Sequence, residues 1–109
     1  MQYHNEYQNI SPCDLKEKIA KNEDLILVDV RTPAEHAVQA IEGATLLPVQ
    51  ELSSWVDELP KDVEIVVYCR VGNRSAFAAE HLARRGYAVK NLEGGIAAWN
   101  TADCAFGNA

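Results

Sequence analysis

The chain has 109 residues, 48% of them hydrophobic, and a formal net charge of −6. That is enough chain for one compact unit with a real core. The acidic balance argues against nucleic acid and against an anionic membrane surface as partners. No apolar run reaches the length of a membrane span, and Met1 to Asn9 is polar, without the apolar stretch of a secretory signal. A cytoplasmic protein is therefore expected; a mature periplasmic chain carrying an added Met would read the same.

Ser11-Pro12-Cys13-Asp14 reads as a helix start, with Ser11 as N-cap, Pro12 at N1 and Asp14 at N3. Leu15, Ile19 and Ala20 give its apolar stripe, and the helix is expected to stop near Asn22. Leu25 to Val30 is an uninterrupted apolar strand carrying a carboxylate, Asp29, which suits burial on both faces. Thr32-Pro33-Ala34-Glu35 is a capping box opening a short helix to about Val38. Asp29, Arg31 and Glu35 lie together across this turn and read as an ion-pair and cap cluster; a catalytic acid/base pair is the sharper alternative. His36 is expected on the solvated side. Ala44 to Leu47 is a short strand, and Val49 to Leu59 reads as a helix with Leu52, Trp55, Val56 and Leu59 at helical spacing.

Val63 to Tyr68 is a β-branched run, followed by Cys69-Arg70-Val71-Gly72-Asn73-Arg74-Ser75 and then an alanine-rich helical pattern from Ser75 to Arg85. The order is strand, cysteine-led loop, helix. In an open parallel sheet, ligands bind outside the carboxyl end of a strand. The N–H groups of Val71, Gly72, Asn73 and Ser75, with the helix N-terminus, make a cradle for an anion, and Arg70 and Arg74 add two positive charges. Cys69 in that field reads as a thiolate nucleophile facing an anionic substrate. His81 lies roughly 9 Å along the axis from the helix start, too far to serve it as a base. Gly86 ends the helix, Tyr87 to Leu92 is a further strand, and Ile96 to Asn100 starts a last short helix. Thr101 to Ala109 reads as a loosely attached tail. The alternation of strands and helices, with no repeat or linker, predicts one α/β unit with a mostly parallel sheet covered on both faces.

The three cysteines, Cys13, Cys69 and Cys104, have neither zinc spacing nor the regularity of a disulfide framework. Free thiols and no metal site are expected, with a Cys13–Cys104 bridge as the alternative. Cys13 is given no chemical role.

Four motifs resemble the single-domain rhodanese-like sulfurtransferases: Asp29 to Glu35, Gly43-Ala44 running into Pro48, Cys69 to Ser75, and Leu92-Glu93-Gly94-Gly95-Ile96 with Trp99. They stand in the family's order and cover roughly residues 9 to 100. The resemblance implies a five-stranded parallel sheet flanked by helices. It implies that Cys69 takes a sulfane sulfur from a donor such as thiosulfate, holds it as a persulfide, and yields it to cyanide, a thiol or a protein acceptor, with no cofactor. One departure stands out: where the family usually has Gly-His-Ile, this chain has Gln39-Ala40-Ile41, which bears on the rim of the site. Two other readings remain at this point. One is a phosphatase or arsenate reductase of the same architecture, against which the loop is one residue short. The other is a non-catalytic interaction module in which Cys69 is a buried core residue.

Overall fold

The computed structural model describes residues 6–105; what the sequence suggests for Met1 to Asn5 and for 106–109, Phe106 included, lies outside the described residues. Within them one parallel sheet runs in the order β1-β5-β4-β2-β3, with β1 at Gln8–Ile10, β2 at Leu25–Asp29, β3 at Thr45–Leu46, β4 at Glu64–Tyr68 and β5 at Val89–Leu92. The helices are α1 Pro12–Ala20, α2 Pro33–Val38, α3 Leu52–Trp55, α4 Asn73–Arg84 and α5 Gly95–Thr101. Both N-terminal caps read from the sequence are present: Ser11 Oγ accepts from Asp14 N, and Thr32 and Glu35 form a reciprocal capping box.

Alternation along β4 sorts its side chains between two apolar layers. Ile65, Val67 and Cys69 face one layer with Val28, Val30 and the α4 residues Ala78, Ala79, Leu82 and Ala83. Val66 and Tyr68 face the other, with Leu15 of α1 and Ile96 of α5. The chain leaves β2 toward its outer neighbour β3, and leaves β4 toward β5 on the opposite side. The carboxyl ends of β2 and β4 therefore lie side by side at the point where the connections diverge, which is where an open parallel sheet forms a crevice. Asp29 pairs in register with Tyr68, and Val30 N donates to Tyr68 O at 3.0 Å.

Several expectations need correction. The strand β1 carries no alternating pattern of its own and forms by pairing with β5. The helix expected over Val49 to Leu59 is a 3-10 turn at Val49–Glu51 followed by one turn, Leu52–Trp55. Its apolar spacing is helical, but Ser53, Ser54 and Asp57 are weak helix formers and Pro60 limits extension. Trp55 is buried as expected, its Nε1 donating to Pro48 O at 2.9 Å. Phe77 lies 52% exposed, against the ring of His81. Cys13 and Cys104 form a disulfide with Cα atoms 5.4 Å apart. The bridge ties the residues after α5 to the first turn of α1, so the segment up to Cys104 is not a loose tail. No local signal pointed to this pairing, because 91 residues separate the two cysteines.

Candidate active site

Cys69 ends the central strand with its side chain on the α4 face, 1% exposed. Three donors converge on its sulfur: Gly72 N at 3.1 Å, Ser75 Oγ at 3.2 Å and Ser75 N at 3.4 Å. Burial pushes the thiol up, but the hydrogen bonds from the Ser75 side chain, Ser75 N, Gly72 N and Val71 N outweigh it and hold the Cys69 pKa below the ordinary thiol value. A cysteine that were only core filling would have no such set of donors.

The loop can curl this tightly because Gly72, at φ +117°, adopts a conformation that residues with side chains avoid. Behind it, Ile96 N donates to Cys69 O and Ala97 N to Arg70 O, docking the start of α5 on the loop's backbone. A Cβ at Gly95 would run into the carbonyls of Cys69 and Arg70, and one at Gly94 into Ala98 of α5, which explains the glycine pair that opens α5. Buried Asn91, from β5, donates to Gly72 O at 3.2 Å. Asn91 was not singled out in the sequence; an amide within a strand that neighbours the Cys69 loop is the signal that could have found it.

The two loop arginines have different surroundings. Arg70 is exposed and its side chain has no acidic partner among the described residues. Arg74 grips Glu35 through Nη1–Oε1 at 2.7 Å and Nη2–Oε2 at 2.9 Å. The Arg74 guanidinium, with Thr32 N and Oγ1, holds the Glu35 carboxyl down to about 2. Of the two positive charges expected in the loop, that of Arg74 is paired with Glu35 and closes α4 onto α2. Val71 and Asn73 are exposed on the rim, and Ser75 is fully buried.

Beside the loop, Asp29 is fully buried and accepts from Arg31 N, Arg31 Nε at 2.9 Å, Arg31 Nη2 at 2.7 Å and Tyr68 OH at 3.0 Å. Burial alone would raise its pKa; the Arg31 and His36 hydrogen bonds prevail and lower it. The same desolvation pushes Tyr68 up to about 12. His36 is not on the solvated side: its Nδ1 lies 2.8 Å from Asp29 Oδ2. With every Asp29 oxygen engaged, this group reads as scaffold for the turn after β2 and not as an acid/base pair. His81 lies on α4 against Phe77. Among the described residues no group of three or more His, Cys, Asp or Glu is placed to hold a metal, and no helix is long and apolar enough to cross a membrane.

Residues 11–102 match the rhodanese-like domain family. A sulfurtransferase of Allochromatium vinosum is 46% identical over 86 residues, which cover 78% of this chain and 80% of that one. A thiosulfate sulfurtransferase of Ectopseudomonas mendocina is 32% identical, over 86% of this chain and 85% of that one. The crystal structure of a rhodanese-related protein from Thermoplasma volcanium superposes with a TM-score of 0.82 at 33% identity, covering 91% of this chain and 96% of that one.

Proposed function

The chain belongs to the rhodanese-like family of sulfurtransferases, and from that premise we propose that Cys69 carries sulfane sulfur as a persulfide between a donor of the thiosulfate type and a thiophilic acceptor. The observation that carries this reading is the convergence of Gly72 N, Ser75 N and Ser75 Oγ on one buried sulfur. Attack on sulfur requires a thiolate, and these donors stabilise it. The Cys69 thiolate attacks the outer sulfur of thiosulfate. The sulfur–sulfur bond of the donor breaks and sulfite leaves with the electron pair. Cyanide, or an acceptor thiolate, then attacks the outer sulfur of the persulfide, and the Cys69 thiolate is the leaving group. Both steps are displacements at sulfur, the ping-pong pattern of a covalent carrier, and need no cofactor.

Arg70 attracts the anionic donor and stabilises departing sulfite, and the loop N–H groups hold the negative persulfide sulfur. Arg74 acts differently: bound to Glu35, it fixes the loop's position. That pairing also counts against a phosphatase, whose arginine must face the tetrahedral oxyanion. A bridge between two half-exposed cysteines persists in an oxidising compartment and is reduced in a mesophilic cytosol. The bridge favours an oxidising compartment, beside the cytoplasm expected from the sequence.

Intact mass of the purified protein after brief incubation with thiosulfate tests the reading. The expected result is a gain of one sulfur on Cys69, lost on adding cyanide and absent in Cys69→Ser. Turnover by Cys69→Ser at the wild-type rate would overturn it. In the same samples, the denatured and unreduced protein should take up one alkyl group; uptake of three would remove the bridge and the compartment argument.

A further inference from the structure

The backbone of the loop after β4 is polarised. Gly72 N and Ser75 N point inward and donate to the Cys69 sulfur. Three carbonyls are tied outward, to β5 and α5: Cys69 O accepts from Ile96 N, Arg70 O from Ala97 N, and Gly72 O from Asn91 Nδ2 at 3.2 Å. A cradle for a negative sulfur needs this separation, because N–H groups attract the charge and a carbonyl turned toward it repels it. The first two ties come from the backbone of α5; the tie at Gly72 comes from a side chain. Gly72 is also where the loop most needs holding. Without a Cβ, sterics do not confine it to φ +117°. Its carbonyl accepts from Ala76 N as well, but that bond joins it to the helix it opens, whereas Asn91 joins it to the sheet.

Packing does not explain an amide at this place. Asn91 is 6% exposed and stands in register with Val67 of β4. Strand alternation puts it on the same face as Val89, which belongs to the layer under α4. A β-branched apolar residue suits such a position. Gly72 O is an acceptor, so the amide nitrogen must face it. That leaves Asn91 Oδ1 buried and without a hydrogen-bond partner among the described residues. A buried carbonyl left unpaired lowers stability. A residue that breaks the local rule at that cost, with its donor on the loop of Cys69, points to function.

We propose that Asn91 is a positioning residue for sulfur transfer: it clamps the Gly72 carbonyl outward against β5 and so keeps the Gly72 N–H aimed at the sulfur of Cys69. It acts through Gly72 and not on the sulfur. The proposal rests on the sulfurtransferase reading above for the transfer step, and on the loop geometry alone for its effect on the thiolate.

Asn91→Leu tests it on the full chain, because leucine branches at the same carbon and removes both the donor and the unpaired carbonyl. Asn91→Ala is the second variant, which decides the matter if leucine does not fit. The urea midpoint of Asn91→Leu should equal or exceed that of wild type, since an apolar group of similar shape replaces a half-satisfied polar one. The pH midpoint of Cys69 alkylation should nevertheless rise in both variants, as the thiolate loses a well-aimed donor. Single-turnover uptake of sulfur from thiosulfate at neutral pH should fall about fivefold, the scale of one neutral hydrogen bond. A merely structural role would lower the urea midpoint and leave the pH midpoint in place. An alkylation midpoint equal to wild type in either folded variant overturns the proposal. So does a Leu variant as destabilised as the Ala variant whose pH midpoint only tracks that loss. If wild type takes up no sulfur while the variants still move the alkylation midpoint, the sulfurtransferase reading falls and the positioning role of Asn91 stands.

Discussion

The same residue type sits in two opposite settings in this molecule. At the carboxyl end of β4, Cys69 is sealed from solvent yet surrounded by N–H and O–H donors that outweigh the effect of burial on its pKa. At the corner where α1 begins and the chain leaves α5, Cys13 and Cys104 are half-exposed and bonded to each other. Exposure alone thus does not distinguish the two settings; the groups around the sulfur do. The helix α5 links the two settings: its first residues dock on Cys69 O and Arg70 O, while the bridge holds the segment beyond its last turn.

The strongest test of that separation is to remove the bridge. The double variant Cys13→Ser, Cys104→Ser should lose about 2–5 kcal/mol of stability, the usual cost of removing a native disulfide from a small domain. Urea unfolding, read at the midpoint, measures it. Alkylation of Cys69 should keep its pH midpoint, because Gly72 N, Ser75 N and Ser75 Oγ stay in place. If the midpoint moved along with the stability, the two settings would be one coupled system and the comparison would fail.

Removing Ser75 Oγ probes the other setting. Ser75→Ala takes away the side-chain donor at 3.2 Å and leaves the backbone N–H. The pH midpoint of Cys69 alkylation should rise toward that of an ordinary thiol, since a hydrogen bond to the charged form has been lost. Sulfur transfer at neutral pH should fall about tenfold, equivalent to ~1.4 kcal/mol, near the low end for a hydrogen bond to a charged group. An unchanged midpoint would mean that the backbone donors alone set the thiolate.

What the sequence made legible follows the same division between near and far. The Cys69 loop, the capping box at Thr32 and Glu35 and the cap at Ser11 are local, built from residues within a few positions of one another, and each could be read from residue type and spacing. The alternation of strands and helices gave the α/β class. The Glu35 partner of Arg74 is 39 residues away and the Cys104 partner of Cys13 is 91 away; neither carries a periodic signal. His36 was misread for a related reason. Its helix, α2, is six residues long and has no fully buried residue, so amphipathic spacing says little about where its side chains turn. The pull on the imidazole comes from Asp29, on the preceding strand. The brace from Asn91 to Gly72 O depends on β5 pairing with β4, which no single segment reveals.

The Glu35–Arg74 pair lies between near and far, and it gives the smallest expected effect. Glu35 is both the local capping residue of α2 and the distant anchor of α4. Gln is also accepted in a capping box, so Glu35→Gln keeps the local role and removes the distant ion pair. The side chains of the pair are 37% and 31% exposed, so solvent screening reduces its worth to about 1 kcal/mol at neutral pH. The sign of the pH dependence follows from the direction of the shift. Glu35 is lowered from 4.5 to about 2 in the folded chain, so its contribution is fully present above the unfolded value and is lost as pH falls through the folded one. Urea midpoints of wild type and Glu35→Gln should therefore differ at pH 7, still differ near pH 4.5, and converge as pH approaches 2. A difference that persisted undiminished at the acid end could not come from the carboxylate's charge, and the role of Arg74 in fixing the loop would then have to rest on packing.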